Sequence, residues 1–197
     1  MTDNDIAPLF HRQGFLLLRS AASSGMIHSL HRYMLKFAAE QDATRDDQVP
    51  GAISCYGDPV TEKLLEGLIP DMQLITGRAL YPSYAYFRVY RNGDTLRRHR
   101  DRPACEFTLS LCIGYEGATV WPLYVEGSGG EFAADLEPGD GLVFKGLECE
   151  HWRDPFAGIS ASMAFLHYVD RNGPYSEWRF DKRADLHRVE VEARNED

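Results

Sequence analysis

The chain changes character near Tyr81, and this change restricts its fold more than any other feature. Before it, apolar residues keep helical spacing. Ser24 to Glu40 carries Met26, Ile27, Leu30, Tyr33, Met34 and Phe37 as one apolar stripe. Phe15 to Arg19 reads as a short buried strand ahead of that helix. Asp58-Pro59 supplies a capping acceptor and a first-turn proline for a helix running through Leu64, Leu65 and Leu68 to about Pro70. A second short helix, Asp71 to Thr76, is expected to end at Gly77. After Tyr81 the pattern is short strands: Tyr84 to Tyr90, Phe107 to Ile113, Trp121 to Val125, Gly141 to Phe144 and Ala161 to Val169. Gly114, Gly117, Gly127 to Gly130 and Pro138-Gly139 break them. Helices followed by glycine-punctuated strands predict an α+β protein with a β-sandwich or barrel core.

A chain of 197 residues favours one domain: a helical part over about 1–80, a β core over about 81–170 and an extension over 171–197 whose polar end, Arg188 to Asp197, is expected to fray. No apolar run approaches the roughly 20 residues that span a bilayer. The start, Met1 to Ile6, lacks the basic-then-apolar order of a signal peptide, so the expected location is cytoplasmic, with no membrane partner. Cys55, Cys105, Cys112 and Cys149 form no C-x-x-C pair and read as reduced, structural thiols. A net charge of −9 disfavours nucleic acid as a partner. Arg97, Arg98, Arg100 and Arg102 form a local basic cluster, which fits either a carboxylate-bearing substrate or a solvated loop.

Of the seven histidines, only His99 has a carboxylate two residues later, Asp101. Residues i and i+2 of a strand project from one face, so both side chains can reach a single point. His151 follows a strand introduced by Glu137-Pro-Gly-Asp140 and is the candidate third ligand. Two imidazoles and one carboxylate form a facial triad suited to Fe(II), with three adjacent coordination positions open, whereas thiolates would favour zinc or clusters. The other histidines read as structural; His167 lies in the apolar run Ala164 to Tyr168, and His28 and His31 lie on a helix.

Tyr90-Arg-Asn-Gly93 followed by His99-Arg-Asp101, with Glu137 to Asp140 and His151-Trp-Arg-Asp-Pro155 later, resembles the prolyl 4-hydroxylase-like branch of the 2-oxoglutarate/Fe(II) oxygenases. The resemblance spans roughly Tyr84 to Asp170. It implies a double-stranded β-helix (a jelly-roll, cupin-like core) with the N-terminal helices packed on one sheet. It implies that His99, Asp101 and His151 bind Fe(II), that Tyr90 helps hold 2-oxoglutarate, and that O₂ is the oxidant. One departure is plain. The family places an arginine or lysine on the last core strand to pair with the far carboxylate of 2-oxoglutarate, and Gly158 to Ser162 holds no cation. Arg153, Lys145 and Arg88 are the candidates to replace it, because a buried carboxylate needs a partner. Trp121, Trp152 and Tyr124 either line the pocket or belong to the core.

The activity implied is oxidative decarboxylation of 2-oxoglutarate coupled to hydroxylation of an unactivated C–H bond in a small-molecule or peptidyl substrate. Halogenation is disfavoured, because Asp101 keeps the carboxylate. The alternatives are a cupin-like metal-dependent dioxygenase or isomerase that does not use 2-oxoglutarate, and a non-catalytic ligand-binding barrel. Oligomeric state is not legible.

Overall fold

The structure, a computed structural model, describes residues 3–40, 48–117 and 120–186. Four helices, α1 (Asp3–Gln13), α2 (Ser24–Glu40), α3 (Pro59–Gly67) and α4 (Ile69–Thr76), precede most of the strands. The strands are β1 (Phe15–Leu18), β2 (Ile53–Tyr56), β3 (Leu80–Arg91), β4 (Leu96–His99), β5 (Phe107–Glu116), β6 (Leu123–Gly127), β7 (Gly130–Ala134), β8 (Gly141–Lys145), β9 (His151–Arg153) and β10 (Ser160–Asp170). They form a six-stranded sheet in the order β1-β8-β5-β10-β3-β2 and a four-stranded sheet in the order β4-β9-β6-β7. All pairings are antiparallel. This is the expected α+β double-stranded β-helix.

Every residue of β10 is buried, because both faces of the large sheet are covered. One face carries Ala164, Leu166 and Tyr168 against Leu30, Met34, Leu65 and Met72 of the helices. The other carries Ala161, Met163 and Phe165 against Leu96, Leu123 and Val125 of the small sheet. The period-2 alternation of a strand thus divides one apolar run between two cores. No described helix is long and apolar enough to cross a membrane.

Local chemistry explains most element ends. Asp58 accepts hydrogen bonds from the amides of Val60 and Thr61, capping α3, and Gly77 closes α4 in the left-handed region at φ 62°. The first of these helices stops at Gly67 rather than near Pro70, because Pro70 lies in the first turn of α4. Gly114 does not end β5 as expected. The strand runs on to Glu116 with a register shift opposite Ser162 and Met163, and a Cβ at Gly114 would lie 2.7 Å from the His31 ring. The Gly127 to Gly130 turn joins β6 and β7 as a hairpin. The strand around Trp121 begins two residues later than expected, at Leu123. The helix α1 and the strands β2, β4, β7 and β9 were not among the expected elements. β7 is an edge strand with a mostly exposed face, so it lacks an apolar signature. The polar tail from Arg188 lies outside the described residues.

Asp58 also accepts a 2.5 Å hydrogen bond from Tyr33 on α2, tying two helices together. Replacing Asp58 with Ala removes the α3 cap and strands that hydroxyl. The expected loss is about 2 kcal/mol of stability, read as a lower urea midpoint with an unchanged slope.

Candidate metal centre

Pairing of β4 with β9 sets His99 directly opposite His151, with ring centroids 4.2 Å apart. Asp101 follows where the chain leaves β4, held by its amide donating to the Gly146 carbonyl at 2.9 Å. Asp101 Oδ1 lies 3.7 Å from Nε2 of His99 and 3.7 Å from Nε2 of His151. The potential ligand atoms of the three residues all lie within 4.8 Å of one another, and no other described His, Cys, Asp or Glu joins the group. Atoms so spaced can meet at one ion about 2.1 Å from each while leaving the opposite face open.

Both imidazoles are fixed in the tautomer a metal requires. Nδ1 of His99 donates to the Arg97 carbonyl at 2.8 Å, and Nδ1 of His151 donates to the Cys149 carbonyl at 3.3 Å. A carbonyl only accepts, so each Nε2 keeps a free lone pair toward Asp101. Burial, aided by neighbouring His99, pulls the His151 pKa down to about 3, so the ring stays neutral near pH 7.

The carboxylate is oriented by a relay. Thr108 Oγ1 donates to Asp101 Oδ2 at 2.9 Å and lies 3.0 Å from His167 Nδ1. Burial lowers the His167 pKa to about 4, so this ring too is neutral. Gly146 makes room for the arrangement: a Cβ there would lie 2.2 Å from the Cys105 carbonyl and 2.5 Å from Asp101 Oδ2. Asp101, Cys105 and His167 form a second ligand-like group. Burial and the Asp101 charge push the Cys105 thiol pKa far up, so it remains a thiol rather than a metal-binding thiolate.

The triad opens into a narrow cavity of about 20 Å³, lined in addition by Gln48, Tyr86, Ser110, Phe144, Phe165 and His167. That volume suits about one water, so any larger guest must displace lining side chains. A larger apolar groove of about 710 Å³ runs between α2 and α3, lined by residues such as Met26, Tyr33 and Leu64, and shares no residue with the triad cavity.

Deeper in the barrel lie two of the three cations considered for the missing anchor. Arg153 shares the inward face of β9 with His151 and is 1% exposed. Its guanidinium donates to the Trp121 carbonyl at 2.5 Å and stacks 4.7 Å from the Trp121 ring. Its Nε has no partner, and no described carboxylate pairs with it. Arg88 is also buried, donating to Tyr90 Oη at 3.0 Å and packing over the Tyr86 and Phe165 rings. Tyr90 is fully buried, edge-on to Trp121. Lys145 points away from these two arginines. Strand parity sends Leu142 and Phe144 inward and Lys145 the other way, where Nζ meets Glu148 and the His11 carbonyl.

The basic cluster around the triad is largely neutralised at the surface. Arg98 pairs with Glu126, Glu131 and Glu150 and lies over Trp152; Arg102 is bidentate to Asp181. Trp121 belongs to the inner core, while Tyr124 and Trp152 stack on each other and are only partly buried. Thr108, Ser110 and Gly146 were not found in the sequence, and no short motif marks them. His167 was read as core; it is buried as expected and also touches the relay.

No protein-family model matches the chain, and no curated protein matches its sequence at a significant level. Solved structures do match. A prolyl-4-hydroxylase from Pseudomonas putida is 17% identical, covers 87% of this chain and 100% of its own, and has a TM-score of 0.69. The non-heme alpha-ketoglutarate-dependent epimerase SnoN of nogalamycin biosynthesis is 12% identical, with 85% and 82% covered and a TM-score of 0.72. An oxidoreductase of the 2OG-Fe(II) oxygenase family from Burkholderia pseudomallei is 13% identical, with 96% and 95% covered and a TM-score of 0.67. The chain therefore has the fold of the 2-oxoglutarate/Fe(II) oxygenases.

Replacing Thr108 with Val keeps the side-chain shape and deletes the hydrogen bond to Asp101. Mn(II) affinity, measured by calorimetry, is expected to fall about 10- to 100-fold. Replacing Gly146 with Ala is expected to weaken binding further, since the added methyl drives Asp101 out of place.

Proposed function

We propose that the chain is a single-domain non-haem oxygenase in which His99, Asp101 and His151 hold Fe(II). In this reading it couples oxidative decarboxylation of 2-oxoglutarate to hydroxylation of an unactivated C–H bond in a small-molecule or peptidyl substrate. The observation that carries the proposal is the convergence of two correctly tautomerised imidazoles and one carboxylate with no fourth ligand beside them among the described residues. That donor set fits Fe(II). When bound, ferrous iron with 2-oxoglutarate and O₂ supplies an oxidant strong enough for C–H cleavage, with succinate and CO₂ as co-products.

The chain's own residues serve three tasks. The Thr108–His167 relay holds Asp101 in orientation. The aromatic walls Tyr86, Phe144 and Phe165 limit water at the centre. Arg153, assisted by Arg88 and Tyr90, receives the far carboxylate of 2-oxoglutarate. The support for Arg153 is energetic: a buried guanidinium without a carboxylate is costly, and an incoming carboxylate removes that cost. This answers the lack of a cation on β10, whose inward residues are Ala161, Met163, Phe165 and His167. Among the fold neighbours, the epimerase SnoN has a structure in complex with Fe3+, alpha ketoglutarate and nogalamycin RO.

Anaerobic addition of Fe(II) and then 2-oxoglutarate is expected to give a visible charge-transfer band, and admission of air to release succinate. A wild-type protein that does neither is not such an oxygenase. His99→Ala is expected to abolish the band. Arg153→Met is expected to raise the 2-oxoglutarate Kd at least about tenfold, with Fe(II) affinity little changed. Lys145→Met is expected to leave both alone.

A further inference from the structure

Two polar atoms in the wall of the triad cavity have no hydrogen-bond partner, Oγ of Ser110 and Nε2 of His167. Their residues are 1% and 3% exposed. Buried polar atoms are almost always satisfied, so a pair of orphans facing one cavity points to a missing guest. Strand register explains their proximity. Ser110 pairs with Phe165 and Thr108 with His167 across β5 and β10, so all four share the inward face.

A proton count defines what that guest must offer. The Asp101 carboxylate only accepts, so the single hydroxyl hydrogen of Thr108 goes to it. Thr108 Oγ1 therefore accepts from Nδ1–H of His167 at 3.0 Å. The His167 ring is packed against Tyr84 and Tyr86, at centroid distances of 4.4 and 5.7 Å, and this burial disfavours its protonated form. Its second nitrogen is then a bare acceptor. Neither carboxylate of 2-oxoglutarate can satisfy an acceptor. An O–H or N–H group can, and Ser110 can either give or take the second hydrogen bond.

We propose that Ser110 and His167 form a subsite for a hydroxyl or amino group of the substrate, beside the metal triad. This rests on the oxygenase reading and sharpens it. The substrate is an alcohol or amine whose polar group docks here, leaving a nearby carbon facing the metal. A pure hydrocarbon would leave both atoms unsatisfied, and an ether, which can accept from Ser110 but cannot donate, would still leave His167 Nε2 bare, so both would bind poorly.

Long-range proton–nitrogen NMR on protein with ¹⁵N-labelled histidine reads the His167 nitrogens directly. Spectra are recorded without metal and with Zn(II) plus 2-oxoglutarate. The probes are ethylene glycol against 1,2-dimethoxyethane, and methylammonium against tetramethylammonium. The expected result is an unprotonated His167 Nε2 whose signal moves with the two donor probes and not with their methylated counterparts. Ser110→Ala, a mild substitution, is expected to weaken that response at least about fivefold, and His167→Phe to remove donor-probe binding, both in proteins with cooperative melting. The proposal is overturned if Nε2 already carries the proton, if methylated probes act equally, or if no donor moves a signal already held by a trapped water. Failure of Zn(II) and 2-oxoglutarate to shift His99 and His151 would instead remove the oxygenase reading, and the donor response in metal-free protein separates the two failures.

Discussion

The arrangement of the centre depends on one short pairing, β4 against β9, which places His99 across from His151. Neither imidazole comes with a long rigid element of its own. Their mutual position is a matter of antiparallel register, and a slip of one residue would turn one ring to the other face of the small sheet. The backbone then secures the chemistry a second time, since the carbonyls of Arg97 and Cys149 fix which ring nitrogen is free. Asp101 lies beyond the strand and needs separate support, which Thr108 and the space at Gly146 supply.

The large sheet gives this small sheet a firm base. Because β10 is covered on both faces, its inward residues are fixed by packing from behind as well as by neighbours in front. Its polar residues are divided between the two faces: His167 points inward against Thr108, and Ser162 points to the helices against His31. The helices α2, α3 and α4 thus back the sheet that carries part of the candidate centre without touching it.

Much of this was legible in the chain. The stripe on α2 gave its bounds, Ser24–Glu40, because six apolar residues at helical spacing have one compatible structure. His99 and Asp101 were legible from the His-x-Asp triplet in its setting after an aromatic strand, and His151 from its place after a strand, although Asp101 lies just beyond β4 rather than on its face. Parity also separates Arg88, which faces inward with Tyr90, from Lys145, which does not, but that distinction needs the correct inward face of β8. What stayed hidden has a common cause. Thr108, Ser110 and Gly146 act through contacts with segments distant in sequence, and ordinary residues carry no local signature of such roles. The exposed edge strand β7 lacked the apolar alternation on which a local reading rests, and α1 offered only the short set Ile6, Leu9 and Phe10 around Pro8.

Arg153 has a consequence for the protein's thermodynamics as a whole. A guanidinium sealed inside a barrel with no neutralising group among the described residues opposes folding, and an anion that settled against it would recover that deficit. Binding to the native chain alone adds stability with the logarithm of free ligand, about 2.7 kcal/mol at a hundredfold excess over Kd. Under the proposed function, a small carboxylate seated against Arg153 would therefore raise the melting temperature and the resistance to proteolysis of this protein.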